Sequence, residues 1–216
     1  MTLRRKKPPF GGGLIVVGGQ CRKVGKTALV VDLIRAFPCA RWTAVKITPY
    51  TEVGCPVHGP RCKCAPKRHT FAIREEKDRS SESDSSRFLV AGAGRAFWVQ
   101  TKEGRVADAL APLAEKLSKA GNVIVESDAI VKFWKPDLYL MVLDPRRDDF
   151  KASARAGLRV VDAFVWRSPA PRGKGKEKRT AAGEKRATFL QPLRRSLPRK
   201  LRDLVRQRMG AEEHLI

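Results

Sequence analysis

Residues 14–37 limit most what this chain can become. Leu14-Ile-Val-Val17 is a short apolar run with glycines on both sides, the pattern of a strand buried on both faces of a parallel sheet. From Lys26 to Phe37 the apolar positions change to helical spacing. Leu29, Val30, Leu33 and Ile34 fall on one face, and Pro38 ends the run. Between strand and helix lies Gly19-Gln-Cys-Arg-Lys-Val-Gly25-Lys26-Thr27. A glycine-bearing loop in that setting is built to hold phosphate. Backbone N–H groups curl around the oxygens, the helix N-terminus adds positive potential, a lysine reaches the outer phosphates, and a Thr hydroxyl ligates Mg²⁺. This reading assigns Gly19, Arg22, Lys23, Val24, Gly25, Lys26, Thr27 and Ala28 to nucleotide binding, with Lys26 also catalytic. The spacing departs from the usual pattern: five residues, not four, separate Gly19 from Gly25, and Gln20 stands where the first glycine would be. A chance Gly-Lys-Thr in a basic chain is the competing explanation, and the strand before and helix after weigh against it.

The rest of the chain repeats the alternation. Strands are expected at Thr43–Thr48, Ala96–Thr101, Val123–Val125, Leu138–Leu143 and Val160–Trp166. Helices are expected at 84–93, at 106–120, around 130–134 and near 148–156. Residues 49–70 hold too many Pro and Gly for regular structure, and the polar, Ser-rich stretch 75–86 reads as a mobile loop. Strands alternating with helices imply an α/β fold, a three-layer arrangement with a mostly parallel sheet, flanked by basic N- and C-terminal segments. The expected organisation is a basic tail at 1–10, a nucleotide-binding domain at 11–166, and a basic linker with a C-terminal helix at 167–216.

The strand Asn122-Val-Ile-Val-Glu126 ends in an acid beside the loop strand, where nucleotide hydrolases place a carboxylate for Mg²⁺ or water. Asp128 is the second candidate. Together these residues resemble the dethiobiotin synthetase branch of P-loop NTPases, which includes the MobB-type accessory proteins of molybdenum-cofactor nucleotide attachment. The five-residue loop spacing is similar. Val45-Lys46-Ile47-Thr48 resembles the strand-end Lys of both groups, and Asp78 to Arg87 followed by Ala91-Gly92-Ala93 is similar to the MobB-type pattern. The resemblance implies a catalytic set of Lys26, Lys46 and Glu126, and a Mg²⁺ set of Thr27, Asp84 and Glu126. Two departures stand out. Ile47 replaces the MobB-type His, and Ser127-Asp128-Ala129 replaces the synthetase's Gly-Gly, which argues against that ligase. The expectation is therefore a MobB-like NTPase using Mg²⁺ with GTP or ATP. The base cannot be read, because Thr101-Lys102-Glu103-Gly104 lacks the final Asp of a guanine signature. Asp144 either faces a base or starts a turn before Pro145.

Cys55-Pro-Val-His58-Gly-Pro-Arg-Cys62-Lys-Cys64 gathers four S and N donors in ten residues. Tetrahedral Zn²⁺ takes such donors, so Cys55, His58, Cys62 and Cys64 are a candidate zinc set, weighed against unliganded surface thiols. The formal charge is +23, of which residues 1–7 hold +4 and residues 167–216 hold +10. The basic C-terminal segment suits an acidic protein partner or a nucleic-acid backbone, or merely solubilises the chain. A nucleic-acid-binding protein with a basic tail and a degenerate nucleotide site is thus one alternative function, and a dethiobiotin-synthetase-like ligase is the other. No apolar run is long enough to span a bilayer. A cytoplasmic protein with no membrane partner is expected, with a homodimer left open.

Overall fold

The computed structural model describes residues 5–50, 69–167, 186–190 and 196–210. The elements run β1 (Leu14–Gly19), α1 (Lys26–Ala36), β2 (Thr43–Tyr50), β3 (Phe71–Glu76), α2 (Asp84–Val90), β4 (Arg95–Lys102) and α3 (Val106–Leu117). They continue with β5 (Val123–Glu126), β6 (Leu138–Leu143), α4 (Ala152–Gly157), β7 (Ala163–Trp166), β8 (Ala187–Leu190) and α5 (Arg199–Met209). Among the described residues the strands form one sheet in the order β3-β4-β2-β5-β1-β6-β7-β8. Every pairing is parallel except β3 with β4. The α/β, mostly parallel expectation holds.

Alternation along β1 explains the three layers. Ile15 and Val17 face α1, α2 and α5, joining Leu29, Leu33, Phe37, Phe88, Leu201 and Val205 in one core. Leu14 and Val16 face the other way, into a second core with Leu113 and Leu117 of α3 and Ala154 of α4. Each fully buried Leu, Ile or Val contributes about 1.5–3 kcal/mol, so both faces of the central strand are strongly specified. Parallel strands align their C-terminal ends along one edge of the sheet. There Gly19, Glu126 and Lys46 come together, because Val17 and Lys46 both pair with Glu126.

Several local expectations need correction. β2 continues through Pro49 and Tyr50, which pair with Thr101 and Lys102. Pro49 is tolerated there because β5 stops pairing with β2 at Lys46, so no second neighbour needs its N–H. The stretch read as a mobile loop from residue 75 contains the end of edge strand β3 and the start of α2. The serines between are held: Asp78 Oδ1 accepts from the Ser80 amide and hydroxyl, and Glu76 Oε2 accepts from Ser83 and Ser85. The helix near 148–156 spans only Ala152–Gly157. β8 was not anticipated. It adds to β7 in parallel, and α5 packs Leu201 and Val205 into the α1 side, so parts of the basic segment belong to the sheet and core. The candidate zinc residues Cys55, His58, Cys62 and Cys64 lie outside the described residues. Among the described residues no helix is long and apolar enough to cross a membrane.

Candidate nucleotide site

The loop from Gly19 to Thr27 closes against its own side chains. Gly25 sits at φ +98, a left-handed conformation that suits glycine, and Lys23 adopts φ +57 beside it. A Cβ on Gly19 would stand 2.6 Å from Val24 Cγ1, so the loop is too tight for a side chain there. Val24 is buried, while Arg22 and Lys23 are exposed. Gln20, at the usual glycine position, is buried and works as a strut. Its Nε2 donates to the Arg147 carbonyl at 2.6 Å, and its Oε1 accepts from the Asp144 amide at 3.2 Å. α1 begins at Lys26 without a side-chain cap, and its first-turn N–H groups open onto the loop. The Lys26 ammonium donates to the Cys21 carbonyl at 2.8 Å across the loop. Burial pushes its pKa down, opposed by the charges of Asp128 and Glu126.

Beside the loop, two carboxylates meet one ammonium, and one of them also takes a hydroxyl. Thr27 Oγ1 donates to Glu126 Oε2 at 2.8 Å. Lys46 Nζ donates to Glu126 Oε1 at 2.5 Å and lies 2.8 Å from Asp84 Oδ2. Glu126 is almost wholly buried, with 2% of its side chain exposed, so it needs that compensation. Burial alone would lower the Lys46 pKa, but Glu126 and Asp84 outweigh it and raise it. Likewise burial would raise Asp84, but hydrogen bonding and charge from Lys46 win and lower it. Asp84 opens α2, and its neighbour Ser83 caps the helix by accepting from the Ser86 amide at 3.1 Å.

Thr27, Asp84 and Glu126 are hard oxygen donors, and two of them are carboxylates already satisfied by a cation. This donor chemistry fits Mg²⁺. The expected residues Gly19, Gly25, Lys26, Thr27, Lys46, Asp84 and Glu126 therefore share one end of the sheet. Asp128, the second acidic candidate, holds the loop instead: its Oδ1 accepts from the Gly19 amide at 2.6 Å. Asp144 starts a turn, accepting from the Arg146 amide and guanidinium.

The sequence reading missed Arg167. Its guanidinium, 7% exposed as a residue, donates to the Gly25 carbonyl at 3.3 Å and pairs with Asp32 of α1 at 3.5 Å. Burial lowers its pKa, and Asp32 opposes that. The only signal for it was a charge at the end of an apolar strand.

No family model matches the chain, and none of the curated proteins matches it in sequence. Two solved structures are similar in fold. HypB from Helicobacter pylori, in complex with nickel, gives a TM-score of 0.53 at 14% identity, over 95% of this chain and 90% of that one. LpxK from Aquifex aeolicus, in an "apo" form in complex with ATP, gives 0.51 at 17% identity over 87% of this chain. The match covers 56% of LpxK, so this chain spans little more than half of that protein's length. The likeness is one of fold: this chain shares with both an α/β arrangement built on a mostly parallel sheet.

Proposed function

We propose that this chain binds and hydrolyses a nucleoside triphosphate, GTP or ATP, in a Mg²⁺-dependent way. The observation that carries the reading is that Glu126 and Asp84 meet the Lys46 ammonium while Glu126 also accepts from the Thr27 hydroxyl, next in the chain to Lys26. In this reading Lys26 contacts the outer phosphates, and Thr27, Asp84 and Glu126 hold the metal. Glu126 orients the Thr27 hydroxyl by accepting its hydrogen bond, and it keeps Lys46 directed at the phosphate end. Mg²⁺, when bound, supplies charge neutralisation on the phosphate oxygens. Both Glu126 oxygens already accept hydrogen bonds, which supports a positioning role for it over proton abstraction.

Within that class, the finer reading is a MobB-type accessory of molybdenum-cofactor biosynthesis, or a distinct branch beside it. Its support is that Lys46, Asp84 and Glu126, matched from separate stretches of sequence, converge in space. Ile47, where MobB-type proteins carry His, is buried with Val45 and Val99 on the α3 side, opposite the face that Lys46 shares with Glu126. A thermal-shift screen of GTP and ATP with and without Mg²⁺ tests the reading, since a ligand of the folded state raises the melting temperature. A Mg²⁺-dependent rise with one nucleotide is expected. No rise with either, or the same rise in Lys26→Ala, overturns it.

A further inference from the structure

On the outer side of α1, beyond the core that it shares with Phe88 and Leu89 of α2, a cleft of about 740 Å³ lies between the helix and residues 79–90. Its apolar lining is Ala28, Val31 and Val90. Val90 is 56% exposed, one of two large apolar side chains so open among the described residues. Arg35, Arg79 and Arg87 stand on the walls, against Asp32 and Glu82. Asp32 is engaged by the buried Arg167, and Arg79 donates to the Leu89 carbonyl at 2.7 Å. Arg35 and Arg87 are both exposed, and Arg87 lies 3.8 Å from Asp84. The balance of groups facing the cleft favours an anion, and the lining favours an apolar body attached to it.

The cleft adjoins the nucleotide site at two points. Ala28 follows Thr27 directly, and Arg87 lies one helical turn from Asp84, which touches Lys46. Asp32, in the lining, leads through Arg167 to the carbonyl of Gly25. An occupant therefore meets groups that hold both the candidate metal ligands and the phosphate loop. Hydrolysis alone needs no such neighbouring cleft.

We propose that this cleft is a second-ligand site for a small anionic molecule with an apolar body, its carboxylate or phosphate taken by Arg35 and Arg87. Its role beside a nucleotide rests on the function proposed above, but its capacity to bind does not. The test is amide-resolved NMR of the isotope-labelled full chain, titrated with n-hexyl phosphate, n-hexanoate and inorganic phosphate. A non-hydrolysable triphosphate analogue and Mg²⁺ are present to fill the phosphate loop. Saturable shifts at residues 28–35 and 79–90 are expected with a hexyl probe, and the tighter of the two names the head group. Inorganic phosphate, lacking the apolar body, should bind at least about tenfold more weakly. Arg35→Glu and Val90→Glu alter exposed side chains, and each should weaken the probe about tenfold or more while nucleotide affinity stays within about twofold. Shifts confined to residues 19–27, no saturation, or unchanged probe affinity in both variants overturns the site, as does saturable binding only of a macromolecular partner on this face. If the wild type binds no nucleotide, the titration is repeated without the analogue. Saturable shifts at the cleft then keep this site while the nucleotide reading falls.

Discussion

Replacing Lys46 with Met keeps most of the side-chain volume and removes the charge between Glu126 and Asp84. At 2.5 Å for Glu126 and 2.8 Å for Asp84, and an effective dielectric of about 20, each charge pair is worth roughly 6–7 kcal/mol before desolvation is subtracted. Removing one partner of a buried pair typically costs about 3–5 kcal/mol, because the remaining charge is stranded. Glu126 is 2% exposed and bears that cost in full, whereas Asp84 is 35% exposed and is screened by water. The lower end, about 3 kcal/mol, is therefore expected without metal, or a melting temperature lower by about 6–12 °C for a chain of this size. The same argument fixes the response to Mg²⁺. In the wild type the ammonium already compensates the carboxylates, so Mg²⁺ alone should hardly move the melting temperature. In Lys46→Met it should restore much of the loss, because the cation binds only the folded state. Differential scanning fluorimetry with and without MgCl₂ measures both effects, with Ca²⁺ and NaCl as controls for generic screening. Adding Glu126→Gln to Lys46→Met should recover stability in the metal-free protein, because the stranded charge is gone. A Lys46→Met protein within about 0.5 kcal/mol of wild type that ignores Mg²⁺ would refute the electrostatic account of the site.

Lys26→Ala and Thr27→Ala should each weaken Mg²⁺-nucleotide binding about 10- to 150-fold, the loss of one bond to a charged group, with circular dichroism unchanged; calorimetric titration decides, and unaltered affinity in both removes the phosphate-loop assignment. Stability should be lost in acid, because Glu75, held at about 2 mainly by its hydrogen bond from Arg95, and Asp84 both have folded pKa values below their ordinary ones. Their contribution is present above the ordinary values of 4.5 and 3.8 and disappears as pH falls through the lowered ones. Glu75→Gln should flatten the low-pH limb of a melting-temperature scan, and an unchanged limb would show that this pair contributes nothing. Protein prepared without chelator should carry about one Zn²⁺ per chain through Cys55, His58, Cys62 and Cys64. Elemental analysis without zinc, together with thiols that all react freely, ends that proposal.

What could be read from the sequence was what depends on local pattern. β1, the loop and α1 were legible because a buried strand, a glycine-bearing loop and an amphipathic helix are each written in consecutive residues. Glu126 was legible as a strand end, and Lys46 only through the resemblance of Val45-Lys46-Ile47-Thr48, since it stands in the middle of β2, where β5 ends beside it. β3 was missed because Phe71-Ala-Ile-Arg-Glu-Glu holds only three consecutive apolar residues before its charges and lies at a sheet edge, where neither alternation nor a long apolar run marks it. β8, at the other edge, is four residues long with three of them exposed, too short to leave a pattern.

Arg167 was illegible for another reason: its contact to Gly25 joins residues 142 apart in sequence. That contact bears on how the phosphate loop is held. A Cβ on Gly25 would lie 2.8 Å from Arg167 Nε, so glycine is favoured at this position twice, once by φ and once by the guanidinium behind it. The same guanidinium pairs with Asp32, nearly two turns into α1, and so ties the helix to the loop that precedes it. β7 delivers Arg167 at its end, and β8 and α5 complete the sheet edge and the core beyond it. The C-terminal segment, whose composition suggests only a charged tail, thus closes the fold next to the strand that braces the nucleotide loop. A truncation placed just after β7 would remove Leu201 and Val205 from the core, and any change in nucleotide affinity it produced would report on stability before it reported on the tail.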